Sequence, residues 1–150
     1  MNHPILSLGY RLTEKDRSIV YTGDHEPYQI SKDSVGGNDA LLKEMSRAAE
    51  EANRKFIDFI RHANLLVVDC QYTPEEYRTS KRKWGHSSWD YCLKWMKEAN
   101  VERMILTHHD PSRSDQAIDE ILAAARAAAV ELGLDPSKIL MAQEGLELEV

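Results

Sequence analysis

The chain has 150 residues, 42% of them hydrophobic and 29% charged, with a formal net charge of −6 and a pI near 5.5. That length suffices for one domain burying about 70% of its unfolded surface, and no apolar run reaches the roughly 18 residues of a membrane helix. The acidic balance argues against a nucleic-acid binder, whose affinity rests on a basic face. The polar start Met1-Asn2-His3-Pro4 does not resemble a signal peptide. Cys70 and Cys92, the only cysteines, fall in strand-like and helix-like stretches that need no disulfide, so a reduced cytoplasmic setting is expected.

Two short β-like stretches, 7–12 and 18–22, open the chain, with a polar hairpin-like connection between them. From Gly23-Asp24-His25-Glu26-Pro27 to Asn38 the sequence is polar and contains Gly36-Gly37, which predicts a loop. Leu41, Met45, Ala48, Ala52, Phe56, Phe59 and Ala63 then recur at steps of three and four, the spacing of an amphipathic helix. Leu65-Leu66-Val67-Val68 is apolar on both faces, as a buried strand would be, and ends on Asp69. Thr73-Pro74-Glu75-Glu76 has the cap, the proline and the glutamate of a helix start. The basic run from Arg78 to Lys83 reads most simply as a solvated loop or helix end.

A second helix start lies at Ser87-Ser88-Trp89-Asp90, directly after Gly85-His86, with Trp89, Cys92 or Leu93, Met96 and Ala99 inward. Val101 to Thr107 predicts a strand ending at His108-His109-Asp110-Pro111. An alanine-rich helix follows from about Ser114 to Leu132, with Ile118, Ile121, Leu122, Ala125 and Leu132 inward and Gly133 as its stop. The stretches 138–142 and 146–150, with Gly145 between them, complete the chain. It shows no repeat, no linker and no second domain.

Three predicted strands end in acid–base or metal-competent residues: Asp24-His25-Glu26, Asp69, and His108-His109-Asp110. In α/β sheets, polar groups converge at the carboxyl ends of strands. His3 and His86 add imidazoles from loops. A His/Asp set without cysteine suits a catalytic zinc, manganese or iron site better than a structural zinc finger. Each residue alone has a plainer reading: a histidine as a cap, an aspartate as a turn former. His25 and His109 have a supporting role or none, and His62 belongs to the surface.

The series His3-Pro4, Gly9-Tyr10-Arg11, Tyr21-Thr22-Gly23-Asp24, Leu66-Val67-Val68-Asp69, Gly85-His86-Ser87-Ser88 and Leu106-Thr107-His108-His109-Asp110-Pro111 resembles, from end to end and in order, the second half of the metallo-β-lactamase superfamily. Its phosphodiesterase and ribonuclease Z-like branches are the nearest likeness. The resemblance implies an α/β chain forming one half of a four-layer sandwich, a mixed sheet covered by helices on one face. It also implies that His3, Asp24 and His108 are metal ligands, Asp24 bridging two ions. His86 would be the site-edge histidine that assists protonation near the scissile phosphate, and Asp69 a structural strand-end carboxylate. The chemistry implied is hydrolysis by two divalent ions, zinc above all.

The family's His-x-His-x-Asp-His motif is absent from these 150 residues. One ion would keep His3 and Asp24 and the other Asp24 and His108, below the three protein ligands of a typical catalytic zinc. The expectation is therefore a hydrolase half, inactive alone. With one sheet face open, it would self-associate or pair with a chain carrying the amino-terminal half. The charge favours a small-molecule substrate over nucleic acid. The alternative is a non-catalytic binding or scaffold module with a decayed site. A phospho-acceptor receiver domain, with Asp69 as acceptor and Thr107 as switch, is a third reading. Against it stand the 38 positions between them (107 − 69), a last strand without lysine, and the opening hairpin.

Overall fold

The computed structural model describes residues 1–150. Strands β1 (Tyr10–Glu14) and β2 (Arg17–Tyr21) form an antiparallel hairpin around Lys15 and Asp16. Helix α1 (Asp39–Ile60), capped by the Asn38 side chain on the Leu41 N–H, leads to β3 (Leu65–Asp69). A single turn α2 (Pro74–Glu76) opens with the capping box that the sequence predicts and widens into a π-turn over Tyr77–Lys81. Helix α3 (Trp89–Glu98), strand β4 (Arg103–Thr107), helix α4 (Asp115–Glu131) and strand β5 (Ile139–Met141) complete the order.

The five strands lie side by side in sequence order, and β2 to β5 are mutually parallel. Parallel crossovers are right-handed almost without exception. Three in succession that advance in one direction must therefore put every helix on the same face. The row Arg11, Val20, Leu66, Met104 and Ile139 runs across that face, in register. Val20, Leu66, Met104 and Ile139 are fully buried in one core with Phe56, Ile57, Ile60, Leu93, Met96, Ala125 and Ala129 from the helices. Arg11, at the hairpin edge of the row, donates to the Phe59 and Arg61 carbonyls and closes the carboxyl end of α1.

The opposite face carries Tyr10, Tyr21, Val67, Ile105 and Leu140 in one row and Leu12, Ile19, Leu65 and Arg103 in the next. No helix covers it. The carboxy-terminal tail returns far enough for Arg103 to donate to the Glu149 carbonyl. Towards the hairpin, Tyr10, Leu12 and Tyr21 stay 57%, 68% and 45% exposed. A mixed sheet with helices on one face is thus what the resemblance implied.

Several packing expectations are corrected. In α1 only the last turns are buried, through Phe56, Ile57 and Ile60. Of the expected stripe, Phe56 and Ala63 are buried and Met45, Ala52 and Phe59 partly so, whereas Leu41 and Ala48 are exposed and Ile57 and Ile60 join the core. Helix α3 buries both Cys92 and Leu93, and Trp95 in place of the half-buried Trp89. Helix α4 buries Ala125 and Ala129, while Ile118, Ile121, Leu122 and Leu132 are only partly covered: small residues let this helix sit close to the sheet. The last stretch, 146–150, forms no strand. Both cysteines are free and buried.

Candidate metal centre

The carboxyl ends of β2, β3 and β4 open on one side of the sheet, and the chain leaves each of them polar. After β2, Gly23 turns with φ +62°, packed so closely on the Leu8 carbonyl that a Cβ would lie 2.7 Å from its oxygen. This presents Asp24 to the site and sends His25 into the core. After β4, His108 itself takes a left-handed backbone, φ +61°, a conformation that costs a non-glycine residue roughly 1 kcal/mol. The strain turns the imidazole back over the strand end.

Asp24 stands between two histidines. Its Oδ2 is 3.8 Å from His3 Nε2 and its Oδ1 is 3.4 Å from His108 Nε2. Both separations are long for hydrogen bonds. The 3.4 Å separation is close to the ~3.3 Å between two donors that share a tetrahedral zinc at 2.0–2.1 Å, the 3.8 Å one is wider, and the imidazole and carboxylate donors suit a divalent cation. The other ring nitrogens are held by the protein. His3 Nδ1 lies 2.9 Å from the Ile5 carbonyl oxygen, and His108 Nδ1 lies 3.1 Å from the Gln71 amide. These contacts at Nδ1 set the direction of each ring and turn its Nε2 towards Asp24.

His86 completes the cluster from the start of α3. Its ring stacks on His108 at 4.6 Å and tilts against His3 at 5.2 Å. Its Nδ1 is 2.9 Å from Asp69 Oδ2, which also accepts the His25 N–H. Burial alone would disfavour the imidazolium, but the Asp69 carboxylate outweighs it and raises the His86 pKa. Burial likewise raises the Asp69 carboxyl against those two donors. The pair can therefore hold a proton and present it at Nε2. His3, Asp24 and His86 offer donor atoms within 4.8 Å of one another, as do Asp69, His86 and His108.

All four residues singled out by the resemblance, His3, Asp24, His86 and His108, are thus drawn into one cluster, with Asp69 behind His86. His25 is fully buried, stacked on Phe56 at 3.9 Å, with its Nδ1 accepting the Asn2 N–H. His109 is half-buried next to His108, and His62 is exposed in the turn between α1 and β3, at the opposite end of the strand from Asp69. The sequence misses Gln71 altogether and the tethering part that Glu26 plays. Gln71 orients His108. Glu26, nearly buried, accepts from the Tyr77 hydroxyl and the Lys83 and Gly85 amides, and so ties the segment that carries His86 to the loop after Asp24. Gly85, at φ +94°, leaves room for His3, since a Cβ there would sit 2.2 Å from the His3 ring.

A sheet wound in one direction, with imidazoles and a carboxylate gathered at its strand ends, defines a mixed α/β domain with a candidate metal site. Residues 1–109 match the model of the β-lactamase superfamily domain, and the chain belongs to that family. It is 28% identical to ribonuclease Z of Thermoplasma volcanium over 113 residues, 75% of this chain and 28% of the relative. It shares its fold with the metallo-β-lactamase fold protein YhfI of Bacillus subtilis, with a TM-score of 0.63 and 21% identity over 96% of this chain and 44% of that one. Human tRNase Z, short form, superposes with a TM-score of 0.56 and 17% identity, covering 98% of this chain and 39% of the other. The chain therefore spans between about a quarter and a half of the length of these relatives.

Proposed function

We propose that these residues are the carboxy-terminal half of a metallo-β-lactamase-type phosphodiester hydrolase. They would contribute His3, Asp24 and His108 as ligands to a pair of divalent cations, zinc first among them. The observation that carries this is Asp24, whose two oxygens each face a different Nε2 at 3.4 and 3.8 Å. When bound, such a pair supplies an activated water and offsets the charge that develops on the phosphoryl oxygens. In that reaction Asp24 fixes the spacing of the site, and Gln71 holds the His108 ring. His86, fixed at Nδ1 by Asp69, delivers a proton from Nε2 to the departing oxygen.

The relatives named ribonuclease Z and tRNase Z favour a nucleic-acid phosphodiester. This revises the small-molecule preference drawn from the net charge, which averages over the whole chain and says little about one rim of a site. The ligand count supports a second reading: two ligands per cation, one of them shared, fit a binding module as well as a hydrolase half. Co-purification with an amino-terminal half carrying His-x-His-x-Asp-His separates the two. Manganese- or zinc-dependent cleavage of an oligoribonucleotide is expected of the pair. His86→Ala should lower kcat by about 100-fold with metal content intact, and Asp24→Asn should abolish both. No cleavage by the reconstituted pair sinks the hydrolase reading, turnover that survives Asp24→Asn removes Asp24 from the site, and metal loss in His86→Ala would make His86 a ligand.

A further inference from the structure

The basic run at 78–83 reads from sequence as a solvated loop, and its place in the fold is more specific. Four of its six positions are basic, and it forms the rim of the site directly before Gly85-His86. Arg78 is paired with Asp90, while Lys81, Arg82 and Lys83 make no ion pair. The Lys81 ammonium lies 3.9 Å from the centre of the Trp84 ring and 5.6 Å from that of Tyr72. Tyr72 in turn sets its edge against His86 at 6.1 Å. Trp84 is 56% exposed, although an indole is normally buried or held at an interface. On the other side of the same segment, Arg82 and Lys83 line a hollow of about 380 Å³ that reaches His3.

Cations free of carboxylate partners, an exposed indole, and a path of ring contacts leading to the cluster are the elements by which single strands are held: phosphates on Lys and Arg, a base on an aromatic face. The net charge of −6 does not oppose this. Charges more than about 8–10 Å away are screened at physiological salt, so a phosphate on the rim senses the local cations first.

We infer that residues 81–84 form a subsite for single-stranded nucleic acid, Lys81 holding a backbone phosphate next to the scissile one and Trp84 stacking on a base. This rests on the reading of the site as a phosphodiester hydrolase and names the part of the substrate that the rim takes. Folded globular protein and lipid surfaces are the competing occupants. Neither explains a lone indole sharing an ammonium with a tyrosine that touches the site histidine.

The test is equilibrium binding of the 150-residue chain to a ten-nucleotide single-stranded RNA, and to an abasic ribose-phosphate strand of equal length, without metal and over a salt series. Trp84→Ala should weaken RNA binding about tenfold, the worth of one stacked base, and leave the abasic strand within about twofold. Trp84→Phe should restore most of the loss. Lys81→Met should weaken both strands and lower the salt slope by about 0.7, one phosphate contact. His62→Ala, exposed in the turn before β3, should bind as the unaltered chain does.

Absence of RNA binding at low salt, equal affinity in all variants, or a preference for anionic vesicles or an acidic peptide each overturns the inference. The two readings also fail separately. Strand binding that depends on Trp84, with no cleavage by the reconstituted pair, removes the hydrolase alone. Cleavage whose KM is unmoved by Trp84→Ala and Lys81→Met removes this subsite alone.

Discussion

His25 and Asp24 are neighbours with opposite fates, and Gly23 is the reason. The left-handed turn before them sends the carboxylate outward and the imidazole into the core, where burial, with a smaller effect from the amino-terminal charge, lowers the His25 pKa from 6.5 to about 3. The folded pKa thus lies below the unfolded one. The neutral imidazole's full contribution is present above about pH 6.5 and is lost as the pH falls from there towards 3. At pH 5 the loss is about 2 kcal/mol, 1.5 units at 1.36 kcal/mol each. Urea midpoints between pH 8 and pH 5 should fall accordingly, and His25→Gln should flatten that part of the profile. A profile unchanged by the substitution would place the acid sensitivity elsewhere. The sequence shows an Asp-His pair and does not show which member points inward, because that depends on the backbone sign at Gly23.

At the scale of elements, the segment from α2 to α3 is held chiefly by side chains, since α2 is only one turn. The Thr73 cap and the Glu76 carboxylate close its start, Arg113 pairs with Glu76, and Glu26 gathers three donors from its far end. Glu26→Gln keeps the shape but turns one acceptor into a donor facing N–H groups. A loss of about 2 kcal/mol is expected, the cost of leaving a buried amide unsatisfied, with faster hydrogen exchange at Lys83 and Gly85. Protection unchanged at both amides would contradict the tether. The capping box, the hairpin and the strands were legible in the sequence because local chemistry fixes them: Thr-Pro-Glu-Glu can cap only a helix start, and the short apolar run Leu65 to Val68 suits an inner strand. The Glu26 contacts join residues 51 to 59 positions apart, and no local pattern announces such a link. In α1 the exposure of Leu41 and Ala48 and the burial of Ile57 and Ile60 were missed for a related reason: periodicity gives a face, while the docking on the sheet decides which residues near that face are covered.

For the whole molecule, the order of the sheet decides the surface. One-directional winding leaves Tyr10, Leu12 and Tyr21 exposed on the face without helices, and Ile5, Leu6 and Leu8 before the hairpin are exposed as well. Exposed apolar side chains gathered in this way mark a surface that another chain or segment can cover. The structural neighbours carry more than half of their chains beyond the part that superposes here, and under the proposed function an amino-terminal half would supply the cover. Without it, the 150-residue chain should sediment as a dimer or larger at tens of micromolar, and Leu12→Glu with Tyr21→Lys should return it to monomer. A clean monomer in the unaltered protein would mean that the tail covers this face in solution. The convergence of three strand ends on one cluster was readable from sequence, since parallel strands align their carboxyl ends. The side-chain directions that make Asp24 face two histidines were not, because they depend on the His108 backbone and on Gln71.

Metal binding tests the account most directly. Cobalt(II) titrated into the apo-chain and followed by its visible absorption reads both affinity and ligand geometry. Saturable binding is expected, weakened at least about tenfold by Asp24→Asn and by His108→Ala and left within about twofold by His62→Ala. No binding, or equal losses in all three variants, would contradict the assignment of His3, Asp24 and His108 as the ligands this chain supplies.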